Sequence, residues 1–379
     1  MKKPALTLND TSLLKGFAIL CIILHNFCHW LPVCALENEY TFHLKRTYVL
    51  LDFLSRGEHV VLNLFSYFGH YGVPLFLFLS GYGLVMKYEV KMTERVGVWS
   101  FIWYNARKLW HLLWIGLLLW FISDWERHDG QWTHTWYHVG LMVTYLANLL
   151  PAHGFVAGPH WVRELTHWLP CHDLLLGPWW FFSLIMQLYV VYRLFLYRRG
   201  KTVLVIVTAV CMALLAYSIM IPDRRMDILC YLRYNFVGSM LPFAMGIWMA
   251  RYGMWYGRVQ SGVCLVLFLA SCFDRTAWLL SPFFFTLACL PLVTLQGRTR
   301  SVLMWVGALS PVLFVVHPIV RAYFIHWIGL GGNWYFHLGG YLAVTLLLSV
   351  FYRAAMNLVP SPRLSPGSGR PGVSALRKG

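Results

Sequence analysis

The chain has 379 residues, 59% of them hydrophobic, 17% aromatic and only 12% charged. Soluble domains carry about 25% charged residues, so this composition excludes a soluble globular protein and calls for membrane-crossing helices throughout. The formal charge of +16 does not point to nucleic acid: basic residues sit in short loops and in the tail, where the positive-inside rule and anionic lipid headgroups account for them.

Continuous apolar runs, too long for alternating strands of about ten residues, exclude a β-barrel. The expected fold is an all-α, polytopic transmembrane helical bundle in a lipid bilayer. The nine cysteines show neither CxxC nor zinc spacing and read as small hydrophobes, so no metal and no permanently bound cofactor is expected.

The first apolar run, 12–34 (SLLKGFAILCIILHNFCHWLPVC), is long enough to span. No small-residue cleavage site follows it, so it is expected to be retained as a helix. Residues 35–58 are too charged to cross and predict an outer loop with a short amphipathic helix near 48–54. A second span is expected at 60–86, a cytoplasmic loop at 87–95 and a third span at 98–122. Later spans are expected at 179–197, 203–221, 234–250, 263–273 (extended upstream to 260), 278–295, 302–327 and 335–356.

The run 136–150 is apolar but short. Counted as a crossing it gives about eleven spans and puts the two basic ends on opposite faces. Counted as re-entrant or interfacial it gives about ten, with both ends and the runs 198–201 and 298–300 inside, as the charge rule prefers. Ten is the expectation, although Arg224 and Arg225 then fall outside. Residues 1–358 form the membrane domain, and 359–379, rich in Pro, Ser, Gly and Arg, read as a disordered basic cytoplasmic tail.

Polar groups inside spans mark candidate sites, because they are costly unless they face the protein interior or a wet cavity. On a helix turning about 100° per residue, Lys15, His25, Asn26 and His29 share an arc of roughly 100°. The alternative is helix packing through side-chain hydrogen bonds. Arg107 and Lys108, set inside the third span, are either phosphate ligands or interfacial anchors.

Ser80-Gly81 reads first as a close helix contact. Trp179 and Trp180, at a span end, are either part of an aromatic belt or a sugar-stacking platform. His317, seven residues after Ser310 and deep in a span, must be paired and is a candidate cavity-lining group. Cys171-His172-Asp173 looks like a metal or triad fragment only superficially and reads as a solvated loop.

Five segments carry a resemblance. LKGFAILCIILHN, GVPLFLFLSGYGL, FIWYNARKLWHLL, GPWWFFSLIMQLY and ALSPVLFVVHP follow one another over 12–318. In order, they resemble the signatures of the acyltransferase 3 family of membrane acyltransferases. The match departs at its first motif. Ten residues after Lys15 lead to Asn26 rather than to a histidine, and Lys stands where Arg is commoner. The family's catalytic histidine therefore corresponds to His25, displaced by one position, or its role falls to His29; His25 is taken as the base.

The resemblance implies transfer of an acyl group, acetyl first among candidates, from cytoplasmic acyl-CoA as co-substrate to a hydroxyl of a cell-envelope glycan or lipid-linked sugar. It implies an inner-membrane location. Arg107 and Lys108 would hold the CoA phosphates, and Asn26 or Lys15 would face the developing oxyanion. Some family members carry a soluble hydrolase-like domain for the outer transfer step, and none is seen here. The chain either completes transfer itself or hands over to a separate partner on the outer face. The alternative function is a proton-coupled transporter or flippase for a lipid-linked saccharide, relaying protons through the histidines. Against it, no inverted repeat is visible.

Overall fold

A computed structural model describes residues 6–92, 94–131, 136–149, 177–220, 226–254, 256–328 and 332–364. Residues 171–173, most of the loop around them and the end of the tail lie outside the described residues. Every regular element among the described residues is helical. In chain order the principal helices are α1 (Leu8–Cys28), α2 (Leu44–Ser55), α3 (Val60–Phe68), α4 (Gly72–Val85), α5 (Val98–Arg127), α6 (Trp136–Val143) and α7 (Trp180–Val191). They continue with α8 (Lys201–Met220), α9 (Met226–Tyr234), α10 (Phe236–Tyr252), α11 (Arg258–Ser271), α12 (Ser281–Cys289), α13 (Gly297–Ile328) and α14 (Trp334–Asn357).

Seven helical stretches are long and apolar enough to cross a membrane. The other three expected spans fall on α5, α10 and α11, which are more polar or shorter. The bundle is therefore polytopic and all-α, as composition required. The amphipathic helix expected near residue 50 is α2.

Segment 136–149 holds no helix long enough to cross by itself. α6 has eight residues, about 12 Å of helix against a hydrocarbon core of about 30 Å. Trp136 meets Phe121 at a centroid distance of 5.6 Å, whereas the Tyr145 hydroxyl donates to the carbonyl of Ala106, fifteen residues (about 22 Å) back along α5. Tyr145 takes the left-handed conformation, φ 62°. The chain then reaches Asn148, whose amide donates to the Trp180 and Tyr234 carbonyls. Among the described residues the segment thus runs along α5 from Phe121 to Ala106 and ends against α7 and α9.

Helices in lipid gain little from apolar contact alone, so close backbone approach decides which of them pair. At Gly16 an added Cβ would overlap the Leu303 carbonyl, and at Gly307 it would overlap that of Ser12. α1 and α13 thus touch backbone to backbone. Gly81 against Phe243 and Gly246 against Phe78 repeat the arrangement between α4 and α10. Gly69 and Gly72 bring the start of α4 onto α1, against Cys21, His25 and Ala18.

Two polar ties fix one end of the bundle. A capping box starts α1, with the Thr7 hydroxyl accepting from Asp10 N–H and the Asp10 carboxylate accepting from Thr7 N–H. Asp10 also pairs with Arg300 at 2.9 Å, joining α1 to α13. Arg251 of α10 grips Glu89 through Nε and Nη2 at 2.9 and 2.6 Å, and Tyr192 donates to the same carboxylate.

Candidate active site

Towards its C-terminal end α1 presents His25 and His29, with ring centroids 4.8 Å apart. His25 is buried, and its Nδ1 lies 2.9 Å from the Ser66 carbonyl. A carbonyl only accepts, so Nδ1 carries a proton, and the ring when neutral keeps its lone pair on Nε2. That nitrogen faces Glu39, whose Oε2 is 3.8 Å away. His29 Nδ1 lies 3.5 Å from Glu37 Oε1, and His29 Nε2 is buried without a hydrogen-bond partner. Both carboxylates come from the loop after α1, which folds back over the end of its own helix.

Burial alone would raise the Glu37 carboxyl, but the His29 hydrogen bond and the charges of both histidines hold it well below the usual carboxylate range.

A third imidazole, His70, lies 5.5 Å from His25 between ring centroids. It is buried, and neither of its nitrogens makes a hydrogen bond. On the far side of the pair, Arg321 of α13 donates to Asn26 Oδ1 at 3.0 Å and lies over the Trp30 ring at 5.4 Å. The Asn26 amide donates back to the Ile22 carbonyl. Asn26 is thus engaged at both ends, and the guanidinium it holds is the fixed cation beside the histidines.

His317, one turn earlier on α13, is fully buried. Its Nδ1 bonds the Leu313 carbonyl, and Nε2 is left without a partner. Ligand atoms of His25, His29 and Glu37 lie within 4.8 Å of one another, spacing that also suits a proton relay between two imidazoles and a carboxylate.

Lys15 sits ten residues before His25, about 15 Å along the helix. It lies close enough to Lys108 for the two charges to repel, and Lys108 stands in the same relation to Lys87. Lys108 is exposed. Arg107 is half-buried, with its guanidinium over Trp103 at 5.9 Å. The basic residues thus gather at one end of α1 and the imidazoles at the other.

Other sequence candidates fall elsewhere. The Ser80 hydroxyl donates to Phe76 O in its own helix, and its neighbour Gly81 makes the α4–α10 contact. Trp179 is fully buried and donates to the Val315 carbonyl, so it is neither a belt residue nor a surface for ligand. Trp180 does line a cavity, together with Glu39, His70 and Arg233. Glu37, Glu39, His70, Arg233 and Arg321 were not marked by the sequence reading.

A family model described as an acyltransferase domain, the acyltransferase 3 model, matches residues 9–354. The chain belongs to the acyltransferase 3 family. No curated protein and no solved structure matches it. The match runs from the start of α1 to the end of α14, so the histidine cluster and the basic cluster both lie within a membrane acyltransferase domain.

Proposed function

We propose that the chain transfers an acyl group, acetyl in the first instance, from acyl-CoA to a hydroxyl of a cell-envelope glycan or lipid-linked sugar. The observation carrying this reading is His25: its Nδ1–H is tied to Ser66 O, its Nε2 faces the Glu39 carboxylate at 3.8 Å, and it stands about 15 Å along one helix from Lys15 and the basic cluster. A neutral imidazole of fixed tautomer suits a general base. His29 stands next to it as the alternative base, oriented by Glu37.

The thioester is already activated, so direct attack suffices. The acceptor oxygen bonds to the thioester carbonyl carbon while its proton moves to His25 Nε2. The tetrahedral intermediate collapses, the C–S bond breaks, and the imidazolium returns its proton to the CoA thiolate. The nearby Glu39 carboxylate favours the imidazolium while it exists. The guanidinium of Arg321, held by Asn26, supplies positive charge for the oxyanion. Lys15 is too far along the helix for that task and instead joins Lys108 and Arg107 as a phosphate ligand. In this reading the basic end is cytoplasmic, and both termini lie on that side of an inner membrane.

Purified protein in nanodiscs, given acetyl-CoA radiolabelled in the acetyl group and an extract of envelope glycans, tests the proposal. Label is expected in the glycan with CoA released in equal amount. Glycan movement across the bilayer without thioester cleavage would replace the enzyme with a transporter.

A further inference from the structure

The end of α1 carries a second chemistry in the same side chains. His25 and His29 stand four residues apart, and the helical conformation continues through His29, whose N–H bonds the His25 carbonyl. Two imidazoles at that spacing share one helix face on adjacent turns, the arrangement with which a helix grips a metal ion. Glu37 completes the set from the loop after α1, and the ligand atoms of the three residues lie within 4.8 Å of one another. The individual gaps have the right size. His29 Nδ1 is 3.5 Å from Glu37 Oε1, and His25 Nε2 is 3.8 Å from Glu39 Oε2. Both exceed a good N–H···O bond, about 3.2 Å at most. They come near the edge of a tetrahedron built on zinc–ligand bonds of about 2.0–2.1 Å, which is about 3.4 Å.

The surroundings fit a metal as well. A histidine that ligates through one ring nitrogen donates its other N–H to a carbonyl or carboxylate, which fixes the ring. His25 Nδ1 does this to Ser66 O at 2.9 Å and leaves Nε2 facing the carboxylates. His29 Nε2 and Glu37 Oε2 are buried atoms that, among the described residues, have no hydrogen-bond partner, so the pair has coordinating capacity left unused. The side chains of His29 and Glu37 are 22% and 16% exposed, against 5% for His25, so the cluster opens on their side. Two imidazoles and a carboxylate favour zinc over magnesium or calcium, which take shells of oxygen.

We propose that His25, His29 and Glu37 form a zinc site, with Glu39 beside it to accept a hydrogen bond from a metal-bound water, and that zinc holds the enzyme inactive. The zinc–nitrogen bond is made with the Nε2 lone pair of His25. That is the pair which takes the acceptor's proton in the reaction proposed above, so the ion and the proton compete for one atom. Cysteine spacing carried no sign of such a site, because its donors are imidazoles and a carboxylate drawn from a helix end and the loop that follows. The inhibition rests on the acyltransferase reading; the metal site does not.

The test uses the full chain in nanodiscs, stripped with EDTA and titrated with Zn²⁺ in the presence of excess Mg²⁺. The wild type should show one tight equivalent, weakened at least about tenfold in His29→Ala and in Glu37→Gln, with CoA binding retained in both variants as the check that they fold. Co²⁺ in place of zinc should give the visible absorption of a four-coordinate ion in the wild type and lose it in the variants. No tight equivalent in the wild type, a result that needs no variant to fold, overturns the site, as does equal affinity in all three proteins. Acetyl transfer to envelope glycans should fall in proportion to zinc occupancy and return with EDTA; transfer unchanged or raised at full occupancy overturns the inhibition. A protein that binds its zinc yet transfers no acetyl group when metal-free would remove the enzyme reading and leave the site.

Discussion

At the scale of single residues, the site divides into groups that move a proton and groups that hold charge. His25→Ala removes the proposed base and should lower kcat by about 10²–10⁴, with the affinity for CoA unchanged because the basic cluster is about 15 Å away. Arg107→Glu should do the reverse, raising KM for acyl-CoA while leaving kcat close to wild type, as steady-state kinetics over a donor series would show. Glu37 carries a stability signature. Its carboxyl is held below the usual range in the folded protein, so its contribution is present above the unfolded value of about 4.3 and is lost as pH falls through the lower folded value. Thermal unfolding in detergent should therefore show an acid-side decline that is smaller in Glu37→Gln. These roles were only half legible in the sequence. The α1 arc put Lys15, His25, Asn26 and His29 on one face, but the partners that define their chemistry come from far along the chain. Arg321 meets Asn26 across 295 positions. Glu37 and Glu39 left a faint signal as two of only 15 acidic residues, placed shortly after the histidines.

At the scale of elements, glycine sets the geometry. The site depends on α1 lying flush against α13 and the start of α4, because His25, Arg321 and His70 come one from each of those neighbours. Gly16→Val and Gly307→Val would force Cβ atoms into backbone carbonyls. Each should cost more than the 1–3 kcal/mol typical of overpacking a core, where side chains can yield, and should lower the unfolding temperature and activity together. Helix existence was easy to read, since long apolar runs have few other outcomes in a membrane protein. The short run after Gly130 was harder, because the groups that hold it, Phe121 against Trp136 and Ala106 against Tyr145, lie far back in the chain. The ten-span arrangement expected from the charge pattern puts reporters fused after Gly130 and after Gly177 on the same side of the membrane. Opposite sides would make the segment a true crossing.

For the whole molecule, the arrangement is a bundle with a basic end, an imidazole end and one continuous helix, α1, measuring the distance between them. That distance suits a donor whose phosphates and thioester are far apart. The Glu89–Arg251 pair anchors the bundle away from the chemistry, with both side chains about nine-tenths buried. Arg251→Ala, which strands a buried carboxylate, should destabilise by about 3–5 kcal/mol while leaving the donor KM of the folded fraction unchanged. The overall fold followed from hydrophobic runs, and the family from five short segments in order, because both depend on local sequence. The small cavity beside the histidines did not, because Glu39, His70, Trp180 and Arg233 converge only after folding. The most direct test of the account is the single-turnover rate of acetyl transfer from acetyl-CoA to envelope glycan, measured side by side for wild type, His25→Ala and His29→Ala in nanodiscs. His25→Ala should lose at least about a hundredfold and His29→Ala less; a fully active His25→Ala beside an inactive His29→Ala would contradict it.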